Sequence, residues 1–275
     1  MTLHGTINVS VSNQYRDPSY SSEVITQGIL GEKVAILEQG TSFTKVRQVD
    51  GYESWVSTGQ VITEEPLPGN EVIVRRHFIP IYANPSPSSN RIRDAVIGST
   101  LKTIDDVDNN WYQILLPDGS IGWAEKRHFG AFPNYSPANI VSLAREFLGY
   151  QYSWGGCTPK GFDCSGFVQT VFRLNGCLLP RDAWQQQQNN LVSSDYRTAQ
   201  PADLLFFGAE PKNVTHVAIS LGDERFIHAR GWVRLNSFKE TDRDFSQDLL
   251  NTFISVNRAS CKSRHPRKNG DPVFC

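Results

Sequence analysis

Short runs of residues that favour strands dominate the first half of the chain and predict β-strands. The clearest runs are residues 34–37, 45–47 and 54–56, which are rich in β-branched or aromatic residues and are separated by turn-forming residues. Runs of this length and composition are typical of strands that are half-buried in a small sheet. The pattern therefore predicts strands and turns throughout residues 1–130.

The same order of runs occurs twice in this region. The first copy lies within residues 25–56 and the second within residues 95–124, and both contain the motif Asp-Gly-x-x-x-Trp, which ends at Trp55 and at Trp123. An Asp-Gly turn followed by an inward-facing tryptophan suits a small β-barrel. Residues 64–69, which contain two glutamates and two prolines, are predicted to link the copies.

Helical spacing of apolar residues begins near residue 136. Ser136 and Pro137 suit an N-cap and a first helical position, and Gly149 can end that helix. A second helix is predicted to start near Cys164 and to stop at Gly176. The apolar positions that carry these two predictions are Ile140, Val141, Leu143, Ala144, Phe147 and Leu148, then Phe167, Val168, Val171, Phe172 and Leu174.

Strand patterns return after the two helices. Residues 203–207, 216–221 and 225–229 are predicted β-runs, and Gly222 and Asp223 lie in the turn between the last two. Helices followed by antiparallel strands indicate an α+β domain.

Composition narrows the classes of function. The 275-residue chain is 39% hydrophobic and 20% charged, with a formal net charge of −1, so the charge pattern of a nucleic-acid-binding protein is absent. The basic run at 264–268 is interpreted as a solvated tail. No stretch approaches the roughly 18–20 apolar residues that span a bilayer, and the first ten residues lack the pattern of a signal peptide. Five cysteines, an odd number, favour reduced thiols, and together these features predict a cytoplasmic location.

Cysteine at the start of a helix is the first candidate for chemistry. Backbone N–H groups and the helix dipole favour the thiolate of Cys164 and predict a lowered pKa. A cysteine nucleophile needs a base and a group that orients the base. If residues 222–224 form the hairpin loop, His216 and His228 point to one face as diagonal neighbours; a two-residue loop at 222–223 would place them on opposite faces.

A metal site was weighed against this interpretation. Cys157, Cys164, His216 and His228 could supply two sulfur and two nitrogen ligands. However, the cysteine spacing is not that of common zinc sites and the chain has no CxxC motif. We therefore expect no metal and no cofactor, and no special role for Cys157, Cys177, Cys261 or Cys275.

Residues 137–250 resemble the NlpC/p60 family of cysteine peptidases, and each copy of the repeat resembles a bacterial SH3-type (SH3b) domain. The family's elements appear in order as residues 148–156, 161–166, 179–181, 201–207, 216–219 and 226–229. One departure is Ala202, which stands where a Pro-Gly-Asp turn usually has glycine. The resemblance implies an α+β fold class, with two small SH3-like β-barrels before a papain-like NlpC/p60 catalytic domain. The implied boundaries are 1–65, 70–132 and 136–260.

The resemblance also implies the roles of site residues. It makes Cys164 the nucleophile, His216 the general base and His228 the residue that orients the base. Tandem SH3b domains are typical of members that cleave the γ-D-glutamyl–diamino acid bond of muropeptides with a free N-terminal L-Ala, so peptidoglycan-derived peptides are the expected partners. The positions that match the substrate pocket are Tyr152, Trp154, Asp163, Ser165 and Arg181.

Each pocket residue has a chemically suitable role. Asp163 can pair with the substrate ammonium, or cap the helix, or do both. Arg181 can hold the α-carboxylate of D-Glu, and Tyr152 can donate its hydroxyl to the developing oxyanion. From the first SH3b domain, Tyr52 and Glu23, with Glu32 as an alternative to Glu23, are predicted to reach the substrate amine.

Two other functions fit parts of the pattern. The first is a catalytically idle cell-wall-binding SH3b protein, which the intact set of Cys164, His216 and His228 disfavours. The second is a thiol amidase or acyltransferase on the same fold, which the Asp163 and Arg181 matches disfavour. The sequence does not reveal the preferred diamino acid, the oligomeric state or whether the protein is exported.

Overall fold

A computed structural model describes residues 3–63, 68–104, 110–188, 191–210, 212–259 and 261. The chain divides into two compact units, Met1–Phe132 and Pro133–Cys275. Most of the predicted linker, residues 64–67, lies outside the described residues, as do the basic run 264–268 and Cys275. The predicted domain boundaries therefore stay predictions.

The first unit contains two antiparallel sheets, as the repeat predicts. The first sheet has the strand order β3-β2-β6-β5-β4-β1-β7 and the second has the order β10-β9-β13-β12-β11-β8. The strands of the first sheet are β1 Leu3–Ile7, β2 Val11–Tyr15, β3 Val24–Ile29, β4 Lys33–Gln39, β5 Phe43–Arg47, β6 Glu53–Ser57 and β7 Val61–Ile62. Those of the second are β8 Asn70–Ile73, β9 Phe78–Tyr82, β10 Arg91–Val96, β11 Thr100–Thr103, β12 Trp111–Leu115 and β13 Ile121–Glu125.

The Asp-Gly turns occur where the motif places them, but the tryptophans do not point inward. Gly51 and Gly119 have φ values of 87° and 80°, which suits the glycine of a tight turn. Trp55 and Trp123 are only half-buried, whereas their neighbours Val56 and Ala124 are fully buried. Side chains alternate along a strand, so burial of Val56 and Ala124 turns the tryptophans away from the core. The prediction of inward tryptophans was wrong.

Side chains from the first sheet contribute to the core of the second. Leu30, which follows β3, is completely buried in a cluster that contains Ile79, Ile81 and Leu101. Polar contacts accompany this packing: Ser10 donates to Asp94, and Asn8 Nδ2 donates to Asp118 Oδ2 at 3.1 Å. The two sheets therefore share a core within one unit.

The second unit has the predicted α+β character, with helices before an antiparallel sheet. Its main sheet has the strand order β16-β21-β17-β18-β19-β20, and β14 pairs with β15 in a short hairpin. The helices are α1 Pro137–Glu146, α2 Cys164–Leu174, α3 Ala183–Gln187 and α4 Gln247–Asn251. The strands are β14 Cys157–Thr158, β15 Gly161–Phe162, β16 Leu191–Ser193, β17 Leu204–Glu210, β18 Asn213–Gly222, β19 Arg225–Arg230, β20 Trp232–Ser237 and β21 Phe253–Asn257.

Both predicted helices form with the predicted starts; α2 also ends as predicted, whereas α1 ends at Glu146, before the predicted Gly149. Ser136 Oγ accepts a hydrogen bond from Asn139 N, and Pro137 is the first residue of α1. Helix α2 begins at Cys164, and Gly176, beyond its C-cap, has a φ of 79°. Every residue of α2 except Arg173 is buried. Helix α2 contacts β14, β18 and β19, so its N-terminus is held against the sheet.

A β-bulge sets the register of the β18–β19 hairpin. The turn is a two-residue turn at Asp223 and Glu224, both with positive φ, and Gly222 pairs with Arg225. That turn alone would shift the register by one residue, but Leu221 is bulged out and Ile219 pairs with Ile227. The bulge restores the register that a three-residue loop would give, so the predicted shared face of His216 and His228 is correct although the predicted loop was not.

The turn before β17 has a left-handed residue that explains the departure noted in the sequence. Ala202 has a φ of 71° and is buried, and its N–H donates to Ser220 O. Glycine adopts such a conformation without the steric cost that a Cβ imposes, so alanine strains this turn mildly.

Two cysteines that were expected to have no role form a disulfide. Cys177, just after α2, is bonded to Cys261, and the two residues are 84 positions apart in sequence. Cys157 and Cys164 are buried. The expectation of reduced thiols was therefore wrong for this pair. The odd cysteine count could not reveal it, because pairing depends on which strands and helices meet.

Candidate active site

The thiol of Cys164 lies where helix α2 meets strand β18. The residue is 9% exposed, and its sulfur accepts hydrogen bonds from the backbone N–H groups of Val217 and Ser165. Val217 directly follows His216 in β18, so the thiol lies beside the strand that carries the predicted base. The sequence-based placement of Cys164 at a helix start beside this strand is thus observed.

Burial determines the ionisation of this thiol. Desolvation raises the pKa of Cys164 to about 12, the negative charge of Asp163 adds to the increase, and the N–H groups of Val217 and Ser165 oppose it. This direction is opposite to the lowered pKa predicted from the helix dipole. The resting thiol is therefore protonated, and attack on a substrate needs a base that removes the proton at that moment.

Histidines on adjacent strands form the next part of the site. His216 Nε2 and His228 Nδ1 are 2.7 Å apart, within hydrogen-bond distance. His228 is completely buried, whereas His216 is partly exposed. On β20, Asn236 Oδ1 lies 2.9 Å from His228 Nε2, so the three side chains form a row across β18, β19 and β20. The predicted base and the residue predicted to orient it are therefore within hydrogen-bond distance of each other.

Both histidines are neutral at neutral pH. Burial lowers the pKa of His228 to about 4, with further lowering from Arg234 and Arg230 and an opposing effect from Asn236. Burial also holds the pKa of His216 well below its usual value, and the positive charges of protonated His228, Arg230 and Arg234 act in the same direction. A neutral imidazole can accept a proton, which is what the protonated thiol requires.

An ion pair lies next to the nucleophile. Arg181, 2% exposed, contacts both carboxylate oxygens of Asp163, at 3.1 and 2.5 Å. Its Nη1 also donates to Ser165 Oγ at 2.9 Å. Asp163 accepts further hydrogen bonds from Gly155 N at 3.0 Å and from Gly166 N at 2.7 Å, and the latter caps α2. The three predicted pocket residues Asp163, Ser165 and Arg181 therefore form one hydrogen-bonded cluster.

The two aromatic pocket candidates differ in environment. Burial raises the pKa of Tyr152 to about 12, and the nearby charges of Cys164 and Asp163 contribute to the increase. The Tyr152 hydroxyl is therefore a protonated donor close to the nucleophile. Trp154 is 64% exposed, so it is not a core residue.

The candidates from the first SH3-like sheet belong to the other compact unit. Glu23 is exposed and forms an ion pair with Arg16 at 2.7 Å. Tyr52 is partly buried after the Asp50-Gly51 turn, where its N–H donates to Asp50 Oδ1. The alternative, Glu32, accepts from Gln48 Nε2 at 3.0 Å. Their substrate roles stay predictions.

The described residues offer no metal-binding geometry. Among them, no group of three or more His, Cys, Asp or Glu side chains is arranged to hold a metal ion. Nor does any helix among the same residues combine the length and hydropathy of a membrane span.

Asn236 was not predicted from the sequence, although a signal for it exists. Side chains along β20 point alternately to the two faces of the sheet, and His228 pairs with Arg234 across the β19–β20 hairpin. Asn236, two residues beyond Arg234, therefore shares the face of His228. The register of Asn236 against His228 depends on a turn at Gly231, and the sequence did not predict that turn.

Three family matches cover most of the described architecture. Residues 149–251 match the NlpC/P60 family, residues 14–61 match the bacterial dipeptidyl-peptidase SH3 domain, and residues 78–129 match the bacterial SH3 domain. The catalytic-domain match contains Cys164, His216, His228 and Asn236. The chain therefore has the domain order that the resemblance implied.

Curated relatives resemble the chain along most of its length. A γ-D-glutamyl-L-lysine dipeptidyl-peptidase from Bacillus cereus is 29% identical over 233 residues, which is 76% of this chain and 68% of the relative. Dipeptidyl-peptidase 6 from Lysinibacillus sphaericus is 26% identical over 273 residues, 92% of this chain and 98% of the relative.

A solved structure supports the fold. The crystal structure of an NlpC/P60 family protein from Bacillus cereus aligns with a TM-score of 0.77 at 22% identity, covering 93% of this chain and 99% of that one. Together with the cysteine, histidine and SH3 elements described above, these matches identify the chain as a cysteine peptidase of the NlpC/P60 family with two N-terminal bacterial SH3 domains.

Proposed function

We propose that this peptidase hydrolyses the γ-D-glutamyl–diamino acid bond of cell-wall peptides that begin with a free L-Ala. The observation that carries the proposal is the 2.7 Å contact between His216 and His228, because His216 directly precedes Val217, whose N–H donates to the Cys164 thiol. The dipeptidyl-peptidase relatives supply the substrate class. The Asp163–Arg181 cluster beside Cys164 supports recognition of a charged substrate end.

The first half of the reaction forms a thioester. His216 takes the proton of the Cys164 thiol as the sulfur attacks the γ-carbonyl carbon of D-Glu, and the carbonyl oxygen becomes an oxyanion. The Tyr152 hydroxyl and the Cys164 backbone N–H are the proposed donors to that oxyanion. When the carbonyl reforms, the C–N bond breaks and the leaving amine takes the proton from His216.

The second half regenerates the enzyme. His216 removes a proton from water, and the resulting hydroxide attacks the thioester carbon. The C–S bond then breaks and the sulfur recovers the proton from His216. The product is L-Ala-D-Glu with a free γ-carboxylate, and His228 orients the His216 ring throughout.

Asp163 is proposed to bind the L-Ala ammonium, and Arg181 to contact the D-Glu α-carboxylate. The ion pair between them adds a second role for Arg181, because its guanidinium holds both Asp163 and Ser165 in place. Carboxylate oxygens accept several hydrogen bonds each, so a capping and ion-paired Asp163 still offers negative charge to an ammonium. Tyr52 and Glu23, or Glu32, are proposed amine contacts from sequence resemblance alone.

Mass spectrometry of two matched peptides tests this function. L-Ala-γ-D-Glu-L-Lys and its N-acetylated form are incubated with wild type and with Cys164→Ala. We expect wild type to release the dipeptide from the free peptide, to cut the acetylated peptide at least about tenfold more slowly, and to lose all cleavage in the variant. Equal cleavage of both peptides would remove the free-amine requirement, and cleavage by Cys164→Ala would remove the thiol mechanism.

The cellular location is a separate proposal. The cytoplasmic location was predicted partly from reduced thiols, and the Cys177–Cys261 disulfide removes that part of its support. Fractionation of cells that express the native gene, followed by immunoblotting for the protein, tests whether the protein is in the cytoplasm.

A further inference from the structure

The amide of Asn236 connects the histidine pair to the main chain. Asn236 is 8% exposed on β20. Its Oδ1 lies 2.9 Å from His228 Nε2, and its Nδ2 donates to the backbone carbonyl of Asp244 at 2.7 Å. Each end of the amide therefore has one partner, and one of those partners can only accept.

The carbonyl of Asp244 fixes which way the amide points. If the amide were rotated by half a turn, Oδ1 would face the carbonyl oxygen and two acceptors would lie in contact. Nδ2 must therefore face Asp244, which leaves Oδ1 facing His228. Since Oδ1 can only accept, His228 Nε2 must carry a proton.

The tautomer of His228 determines that of His216. With the proton on Nε2, a neutral His228 has an unprotonated Nδ1, so His216 Nε2 must be the donor across the 2.7 Å contact. The neutral His216 then has its lone pair on Nδ1. Resting on the proposed function, we propose that Asn236 is a positioning residue that sets the tautomers of both histidines and leaves His216 Nδ1 free to take the thiol proton.

Backbone hydrogen bonds hold the Asp244 carbonyl that orients Asn236. Asp244 O also accepts from Ser237 N at 3.0 Å, and Ser246 N donates to Ser237 O at 3.0 Å. Phe245 forms a parallel bridge with Ser237, so residues 244–246 lie along the edge strand β20. The Asp244 side chain is bound by Arg225 at 2.7 Å. The acceptor therefore cannot turn away without breaking several contacts.

Charges around the pair keep His228 in one protonation state. Arg230 on β19 and Arg234 on β20 lower the pKa of both histidines, and burial acts in the same direction. Asp242 and Asp244 form ion pairs with Arg225 within 4 Å, so the positive charge of Arg225 offsets their negative charge. A neutral His228 has only one N–H, so the Asn236 acceptor decides which nitrogen carries it.

Nitrogen-15 NMR of the histidine rings measures the tautomers without any substrate. We expect wild type to show His228 protonated on Nε2 and His216 protonated on Nε2. Asn236→Leu should add a His228 population protonated on Nδ1, because no acceptor then faces Nε2. Asn257→Leu is the matched control: Asn257 is also buried on this sheet, and its amide bonds to Gln187 O. It should change neither ring.

Kinetics supply the second readout. Asn236→Leu should lower kcat by about 10- to 100-fold with KM changed by less than about threefold, because the base loses its orientation while the substrate contacts stay. Asn236→Asp keeps an acceptor towards His228 Nε2 and adds a negative charge there, and it replaces the amide donor to Asp244 O by a second carboxylate oxygen. The acid limb of its kcat profile should move up by about 1–2 pH units, because the carboxylate favours a protonated His228.

The outcomes separate this inference from the proposed function. Unchanged tautomers in Asn236→Leu, or an unshifted pH profile in Asn236→Asp, would overturn the role of Asn236 whatever the substrate is. Cleavage by Cys164→Ala would overturn the thiol mechanism while leaving the NMR result intact. If Asn236→Leu does not fold, the isosteric Asn236→Asp decides through its pH profile.

Discussion

At the scale of single residues, the thiol of Cys164 is the feature with the most direct consequence. Burial raises its pKa to about 12, so the thiolate is scarce at neutral pH. We expect alkylation by iodoacetamide to be slow at pH 7 and to accelerate about tenfold per pH unit up to pH 9. Peptide mapping by mass spectrometry follows the alkylation of Cys164, and Cys157→Ala removes the signal of the other buried cysteine. Rapid alkylation that is constant from pH 5 to 8 would instead indicate a thiolate–imidazolium resting pair.

The buried imidazole of His228 links stability to pH. In the unfolded chain it binds a proton near pH 6.5, whereas in the folded chain it does so only near pH 4. The unfolded state therefore holds more protons between these values, and stability falls as the pH is lowered from 6.5 to 4. We expect this histidine to account for about 3 kcal/mol of that loss. Urea denaturation at pH 7 and pH 4 should show a smaller loss in His228→Asn than in wild type; an equal loss would contradict the assignment.

Cys164, His216 and His228 could be predicted as candidate catalytic residues because each has a local signal. Cys164 follows an N-cap aspartate at a helix start, and the two histidines alternate on strands. Arg181 was predicted as a substrate contact, but its ion pair with Asp163 depends on how the loop after α2 returns, which no local pattern encodes. Asn236 was missed for the same reason, since its role needs the register of a hairpin.

At the scale of elements, the N-terminus of α2 depends on the Asp163–Arg181 pair. Arg181→Met should lower the free energy of unfolding by about 3–5 kcal/mol, because it leaves a buried carboxylate without its counter-charge. Asp163→Asn in that background should recover part of the stability and none of the activity. Urea denaturation and peptide cleavage measure the two effects.

Arg197→Met is the matched control, since its ion pair with Asp195 is exposed on both sides. Its loss should be at most about 1 kcal/mol. If Arg181→Met and Arg197→Met are equally stable, the buried pair does not support the helix start.

The disulfide ties the end of α2 to the segment after β21. Cys177 and Cys261 are 84 positions apart, and opening a loop of that size should cost about 2–5 kcal/mol. We expect a reducing agent to lower the urea midpoint of wild type and to leave Cys261→Ser unchanged. Mass measurement before and after alkylation counts the thiols that reduction releases. No shift in wild type on full reduction would show that the crosslink is energetically neutral.

Strand predictions were least complete in this unit. The predicted runs 216–221 and 225–229 lie within β18 and β19, and the predicted run 203–207 begins one residue before β17. Strands β20 and β21 were not predicted; β20 alternates buried Val233 with partly exposed Arg234, a weak pattern when read without its partner strand. Their pairing with β19 and β17 is a property of the sheet and not of either segment.

At the scale of the whole molecule, the repeat predicted two similar sheets but not their shared core. Leu30 is completely buried among residues of the second sheet. Leu30→Ala should lower the stability of the first unit by about 2–5 kcal/mol, because it leaves a cavity in that core. Leu3→Ala, at a residue 47% exposed, is the control and should change stability by less than about 0.5 kcal/mol. Thermal unfolding followed by circular dichroism distinguishes the two variants, and equal melting temperatures would contradict the packing.

The bulge at Leu221 has a consequence for how the gene can vary in length. It exists because the two-residue turn at Asp223 and Glu224 would otherwise place His216 one position out of step with His228. Loss of one codon from the β18–β19 hairpin would place His216, the predicted base, on the opposite face of the sheet from His228, although the gene would still encode both histidines. A one-residue insertion or deletion in this hairpin must therefore be balanced by a second one. A related gene that encodes Cys164, His216 and His228 but places the two histidines on opposite faces would encode an inactive protein.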